Sequence, residues 1–415
     1  MQSSQLLILG NGFDLHCGLK SAYKDFFQST ILDTIGGRYG LPQMKAGVSG
    51  FWETLLFEYY QNFDKTDYNW CDIETIIKNT VLTICGNNND FAFNTLARVK
   101  RCEDPLDAIK TINDPIDRFL YSHCYDIFAK KITYSYDDNK MYHLFINYIL
   151  QELNKFERRF CKYIKDNIVN PDDEKKFNDK YIVNAMNLLA TLTGFTDEKY
   201  ETIDDIIERQ DMVVIEPSQS AIYQTVRREK HILSQEFANL YSVNILSFNY
   251  TALFDILGVV SPCLYSNVHG KLCMNKCAEN CASCNIIFGI DDTVIQSQDG
   301  NSELHKFSKT YRKMLNDNIE TSILPEKDNP LKIKFYGHSL SEADYSYFKS
   351  IFDYYNLYEN NKVSLIFYYS QGFEQPDKIY KLINTYGKTL SNKNQGKNLT
   401  HKLLLENRLK IIEIP

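Results

Sequence analysis

Short motifs at the ends of apolar runs hold the residue types that could do chemistry. The first is Gly10-Asn11-Gly12-Phe13-Asp14, directly after the run Leu6-Leu7-Ile8-Leu9. Glycines in such a turn let the backbone approach a phosphate, and a helix starting there offers free N–H groups. Asp14 would hold a ribose hydroxyl or cap the helix. Leu15 stands at the third glycine position of the full dinucleotide fingerprint, so the pattern is partial. The competing reading is an Asn-Gly hairpin turn, which suits the helical segment that follows less well. The second motif is Ser247-Phe248-Asn249-Tyr250-Thr251. At a strand's carboxyl end, the Asn249 amide would fix a substrate or a water, or else cap a helix. The third is Val268-His269-Gly270, where an imidazole would act as a general base or have no role. The fourth is Tyr336-Gly337-His338-Ser339-Leu340, with Asp344 behind it. It would close over the far side of a nucleotide or form a plain strand–helix turn.

Two further motifs lie elsewhere. Cys273, Cys277, Cys281 and Cys284 are spaced as thiolates that could complete a tetrahedron around a structural zinc ion. Free thiols, a redox pair at Cys281 and Cys284, or another metal are the alternatives. Trp70-Cys71-Asp72-Ile73-Glu74 opens a helical stretch, where acidic residues suit the helix dipole or reach an active site.

The elements that must position these residues follow from periodicity. Leu6–Leu9, Val243–Phe248, Tyr265–Val268, Ile286–Phe288, Ile333–Tyr336, Val363–Tyr369 and Leu409–Ile414 read as strands. Helical spacing covers Ser21–Ile35, Thr251–Leu257, Ala343–Tyr354 and Pro376–Tyr386. Strand–helix alternation implies an α/β fold with a mostly parallel, Rossmann-like sheet. Between residues 40 and 236 helical spacing dominates, as in Phe51–Phe63, Asp72–Ile84, Pro115–Ile132 and Met141–Ile168. The expected organisation is a nucleotide-binding core of residues 1–39 and 237–415, a helical insertion of residues 40–236, and a cysteine module at 271–285 within the core.

Composition narrows the function classes. The 415 residues are 44% apolar and 24% charged, which permits a packed core. A net charge of −7 argues against diffuse nucleic-acid binding, which needs a basic surface. Lys388–Lys402 reads first as a solvated stretch. The most apolar window, Tyr241–Tyr265, is broken by Asn244, Asn249, Asp255 and Pro262, so no membrane span is expected. No signal peptide is evident, and the other seven cysteines read as reduced thiols of a cytoplasmic protein. The adjacent carboxylates Asp204-Asp205 and Asp291-Asp292 read as solvated turns, which leaves a metal-dependent nuclease little to stand on.

Taken in order, the motifs resemble one family. Ile8 to Leu15 with Gly18-Leu19, Tyr23 and Asp25-Phe26 is similar to the opening of the AbiH bacteriophage abortive-infection proteins. Trp70 with Asp72 and Glu74, Ser247–Tyr250, His269-Gly270, Ile287–Asp291 and Gly337–Leu340 with Asp344 continue the resemblance. More distantly, the set resembles the sirtuin-like NAD-binding fold. That resemblance implies a diphosphate cradle at Gly10, Asn11, Gly12, Phe13 and Asp14. It implies a catalytic pair Asn249 and His269, adenosine-side contacts at Gly337, His338 and Ser339, and zinc at the four clustered cysteines. Asn11, the Tyr250-Thr251 pair and the cysteine spacing depart from the sirtuin pattern, which disfavours deacetylation. The implied activity is hydrolysis of NAD at the nicotinamide–ribose bond in anti-phage defence, with NAD as substrate. A phage-derived trigger and a homo-oligomer are the expected partners. The alternative is a nucleotide-binding sensor that acts through a partner without catalysis.

Overall fold

The computed structural model describes residues 4–33, 43–62, 70–85, 109–110, 112–131, 138–168, 179–194, 243–257, 264–272, 285–292, 303–316, 322–370, 376–391, 396 and 398–414. The chain forms two compact units. One comprises Met1–Ser21, Ile164–Ile286 and Asp317–Pro415, and the other Ala22–Tyr163 and Ile287–Asn316.

The first unit is built on six parallel strands. They are β1 (Ser4–Leu9), β2 (Val243–Ser247), β3 (Tyr265–Asn267), β4 (Leu331–Tyr336), β5 (Val363–Ser370) and β6 (Leu409–Ile414). Their order is β3-β2-β1-β4-β5-β6, that of doubly wound nucleotide-binding sheets. The fold is Rossmann-like. Leu6, Leu7, Ile8 and Leu9 are all fully buried, as an interior parallel strand covered on both faces must be. Burying each such side chain contributes about 1.5–3 kcal/mol, so β1 is fixed mainly by its own apolarity.

Register decides where the motifs emerge. Leu9 pairs with Ser247 on one side and Tyr336 on the other, and Ser247 pairs with Asn267. The carboxyl ends of four neighbouring strands are therefore level. Gly10, Phe248, Val268 and Gly337 all leave the sheet on one edge. The order reverses between β1 and β4, and ligands bind at such a switch point in open α/β sheets.

The helices of this unit include α1 (Gly12–His16), α2 (Asp179–Thr193), α3 (Leu253–Leu257), α4 (Tyr345–Tyr354), α5 (Pro376–Gly387) and α6 (Leu399–Leu405). Helix α2 contacts β1, α1 and α3. Its terminal carbonyls, which lack partners within the helix, are met by two side chains of the sheet. Gln5 Nε2 donates to Thr193 O at 3.0 Å, and Lys334 Nζ donates to Leu192 O at 2.6 Å. Burial, and secondarily the charge of Lys332, pushes the Lys334 amine down to about 8.

The second unit is largely helical. It includes helices Phe51–Asn62, Trp70–Cys85 and Pro115–Lys131, and the part of Asp138–Ile168 up to Tyr163. Two sequence expectations change here. The helix expected over Ser21–Ile35 ends early, because Leu32–Asp33 pairs with Gln43–Met44 as a short antiparallel ladder. Ile286–Phe288 forms no strand, and the nearby pairing is a single bridge from Ile290 to Ser308. Ile286, Ile287 and Phe288 are buried nonetheless, and Phe288 meets Phe156 and Phe160 edge-on or tilted. Among the described residues no helix is long and apolar enough to cross a membrane.

Candidate functional site

The turn after β1 is locked to the turn after β4, backbone to backbone. Gly10 N–H donates to Tyr336 O at 2.9 Å and Gly12 N–H to Gly337 O at 2.8 Å. A Cβ on Gly10 would lie 2.3 Å from His338 Cα, and one on Gly12 would lie 2.6 Å from Gly337 Cα. Gly337 has φ +69, the left-handed region where a Cβ is strained. Contact between the two turns thus accounts for all three glycines, and phosphate approach is not needed to explain them. Asn11 exchanges hydrogen bonds with Ser21: Nδ2 donates to its carbonyl at 3.2 Å, and Ser21 Oγ donates to Oδ1 at 2.7 Å. Phe13 is fully buried against the edge of Tyr336.

Asp14 is the centre of a buried polar cluster. Its carboxylate is only 1% exposed. It accepts from Tyr181 Oη at 2.6 Å, from Thr251 Oγ1 at 3.0 Å and from the Asn249 side chain. Three segments, α1, α2 and the loop after β2, therefore meet at one carboxylate. Burial pushes Asp14 up from 3.8 to about 6, against the lowering effect of the three donors. The nearby Cys17 thiol is pushed well up by burial and by the charge of Asp14. Asn249 itself is 2% exposed, and its Oδ1 has no hydrogen-bond partner among the described residues. Asn267 Nδ2 holds the loop in place by donating to the carbonyls of Asn249 at 2.7 Å and Thr251 at 3.0 Å.

A second buried cluster lies at the same sheet edge. His269 Nε2 is 3.0 Å from Asp344 Oδ1, and His338 Nε2 is 3.3 Å from Asp344 Oδ2. Asp344 is the N-cap residue of α4, where a carboxylate ordinarily accepts from the first-turn amides. No such capping bond is present, and the side chain turns to the two imidazoles instead. The ring of Phe248 packs on both histidines, with centroids 5.4 Å from His269 and 4.5 Å from His338. Tyr347 and Phe348 extend this aromatic wall.

Beside the joined turns lies an apolar cleft of about 180 Å3. Gly12, His16, Tyr336, Gly337, Tyr368 and Ser370 are among the residues that line it. Tyr336 Oη lies 2.5 Å from His16 Nδ1, and burial pushes the His16 imidazole down.

The structure therefore gathers the motifs after β1, β2, β3 and β4 along one edge and sorts them into two clusters. Asn249 joins Asp14, whereas His269 joins Asp344 and His338. The two residues expected to form one catalytic pair are each bonded to a different carboxylate. His338, expected at the nucleotide, uses its ring nitrogens on Leu340 and Asp344. Glu74 forms a buried ion pair with Lys309 in the second unit. In that unit, Phe288 of the Ile287–Asp291 motif donates its N–H to Glu157 at 2.7 Å. The cysteines at 273, 277, 281 and 284 lie outside the described residues. Sequence reading missed Tyr181 and Asn267 as site residues. Tyr181 carries no local signal, since it joins the site only through tertiary packing. Asn267 stands two positions before His269 on a strand end, and alternation alone could have marked it.

A family model described as bacteriophage abortive infection AbiH matches residues 6–369 of the chain. No curated protein and no solved structure gives a significant match.

Proposed function

The chain belongs to the AbiH family of bacteriophage abortive-infection proteins, and on that premise we propose that it defends its host by hydrolysing NAD+ at the nicotinamide–ribose bond. The observation that carries this reading is the pairing of two features at the ends of adjacent strands. After β2 stands Asn249, a buried amide whose oxygen lacks a donor among the described residues. After β3 stands His269, backed by a carboxylate 3.0 Å away. A buried acceptor left unsatisfied costs about 1–3 kcal/mol, and a water or a ribose hydroxyl would supply the missing O–H.

In the proposed reaction the C1′–nicotinamide bond breaks, and its electron pair leaves with neutral nicotinamide. A water oxygen bonds to C1′, and the water proton passes to His269 and then to solvent. The products are ADP-ribose, nicotinamide and a proton. The transition state carries positive charge on the ribose, so catalysis needs a positioned water and a nearby negative group more than a strong nucleophile. Asn249 would orient the water or a ribose hydroxyl. Asp344 would stabilise the imidazolium that His269 becomes, as carboxylates do for catalytic histidines. The cleft lined by Tyr336 and Tyr368 would take an apolar or aromatic part of the substrate.

The test is NAD+ consumption by the purified protein, alone and in phage-infected lysate, with Asn249→Ala and His269→Ala beside it. Turnover abolished by both substitutions supports the reading. Turnover that survives both removes these residues from the mechanism. Binding of NAD+ without turnover in either setting points to a nucleotide-binding sensor instead.

A further inference from the structure

We propose that His338 is a positioning residue that acts through Asp344 to hold His269 as its Nε2–H tautomer, so that the nitrogen taking the proton is Nδ1. The assignment of the acting nitrogen rests on the hydrolase reading above; the tautomer does not.

The argument starts from a backbone amide. Leu340 N–H lies 2.9 Å from His338 Nδ1. A backbone N–H can only donate, so Nδ1 must accept and carries no proton. The proton of neutral His338 is then on Nε2, which faces Asp344 Oδ2 at 3.3 Å. His338 is thus a fixed donor to that oxygen. The other oxygen, Oδ1, lies 3.0 Å from His269 Nε2. A carboxylate accepts and does not donate, so His269 must present N–H at Nε2. Its lone pair is on Nδ1. A base that works at His269 therefore works through Nδ1, with Asp344 behind the ring.

The turn holding His338 is built at a cost. Gly337 has φ +69 and Leu340 has φ +53. The left-handed conformation is disfavoured for a non-glycine residue such as Leu340. That strain brings the Leu340 amide back onto the His338 ring. The ring also packs against Phe248 and Phe348, with centroids 4.5 Å and 5.0 Å away. Side-chain exposures of 3%, 4% and 9% for His269, His338 and Asp344 keep water from competing for these bonds. Displacing a catalytic group by about 1 Å can cost on the order of 100-fold in rate, which is the scale on which loss of His338 is expected to act.

Two substitutions separate this role from a structural one. Gln at 338 places an N–H where Nε2 was and keeps the donor to Asp344. Asn places its carbonyl oxygen where Nδ1 was and keeps the acceptor for Leu340. A residue needed only to shape the turn is replaced better by Asn; a residue needed to fix Asp344 is replaced better by Gln. The experiment records long-range 1H–15N correlation spectra of the histidine side chains, with His269 assigned from a His269→Gln spectrum, alongside NAD+ hydrolysis. The expected result is an Nε2–H His269 in the wild type and in His338→Gln, and mixed tautomers in His338→Asn. In hydrolysis, kcat falls roughly 10- to 100-fold for Asn and much less for Gln, with KM little changed. An Nδ1–H His269 in the wild type, or equal behaviour of the two variants, overturns the proposal. The expected tautomers without NAD+ turnover in any variant leave His338's role standing and remove the hydrolase reading.

Discussion

Substituting Asp14 by Asn should remove a pH dependence from the first unit. Asp14 accepts three hydrogen bonds, and each bond to a charged group is worth roughly 1.5–3 kcal/mol. Those bonds favour the carboxylate. Complete burial opposes it, because among the described residues only hydroxyl and amide donors face Asp14 and the charge must be held in a low-dielectric interior. Burial wins, and the group rises from 3.8 to about 6. The folded state therefore holds the proton more tightly than the unfolded chain. The stabilisation is fully present below 3.8 and is lost as pH rises through 6. At about 1.36 kcal/mol per pH unit, that amounts to a loss of about 3 kcal/mol. Asn does not titrate. Its oxygen still accepts, and the Tyr181 or Thr251 hydroxyl can rotate to accept from its amide. Trp52 and Trp70 both lie in the second unit, so tryptophan fluorescence is the wrong probe. Urea-dependent hydrogen exchange of the β1 amides, referenced at each pH to the unfolded chain, reads the first unit directly. Between pH 4 and 7 the wild type should lose about 2 kcal/mol more than Asp14→Asn, the rest of the loss falling below pH 4. Parallel curves would refute the argument. A wild type that gains on the variant as pH rises would mean that the three donors outweigh burial.

Two further outcomes test the scaffold of the site. Gly12→Ala should destabilise by about 1–3 kcal/mol or more, because its Cβ would meet Gly337 Cα at 2.6 Å and both atoms belong to backbone; an unchanged melting temperature would show that the two turns are not locked. Lys334 sits at about 8, so the folded state sheds its proton before the unfolded chain does. Raising the pH from 8 towards 10 should then stabilise the wild type relative to Lys334→Met, and a flat difference in urea midpoints across that range would contradict the buried amine.

Most of the strands were legible as apolar runs of the right length ended by glycine or a polar residue, though Ile286–Phe288 has the same look and forms no strand. Leu409–Ile414 was read to the residue, although much of it is exposed, since its β-branched content survives without burial. The site was legible to the level of one sheet edge: four strand-end motifs in the sequence became four neighbouring turns in space. Tyr181 was not legible. It stands in α2, within a stretch read as an insertion, and nothing local distinguishes a helix that feeds a hydroxyl to Asp14 from one that merely fills space.

The glycines show why a motif's residue types can be read correctly while their cause is not. Gly10 and Gly12 have the spacing of a phosphate-binding turn, and a phosphate makes the same demand on a backbone as any close neighbour: that no Cβ intervene. In this chain the Gly337 turn makes that demand, with Gly12 N–H already donating to Gly337 O at 2.8 Å. A lone sequence cannot distinguish the two causes, because the steric requirement is identical and the neighbour is more than 300 residues away along the chain. Histidines differ in this respect. Spacing said nothing of which nitrogen of His269 or His338 carries a proton. One backbone amide, that of Leu340, settles His338, and through Asp344 it constrains His269. Chemistry at this edge follows from the direction of a few N–H bonds, which only the folded chain defines.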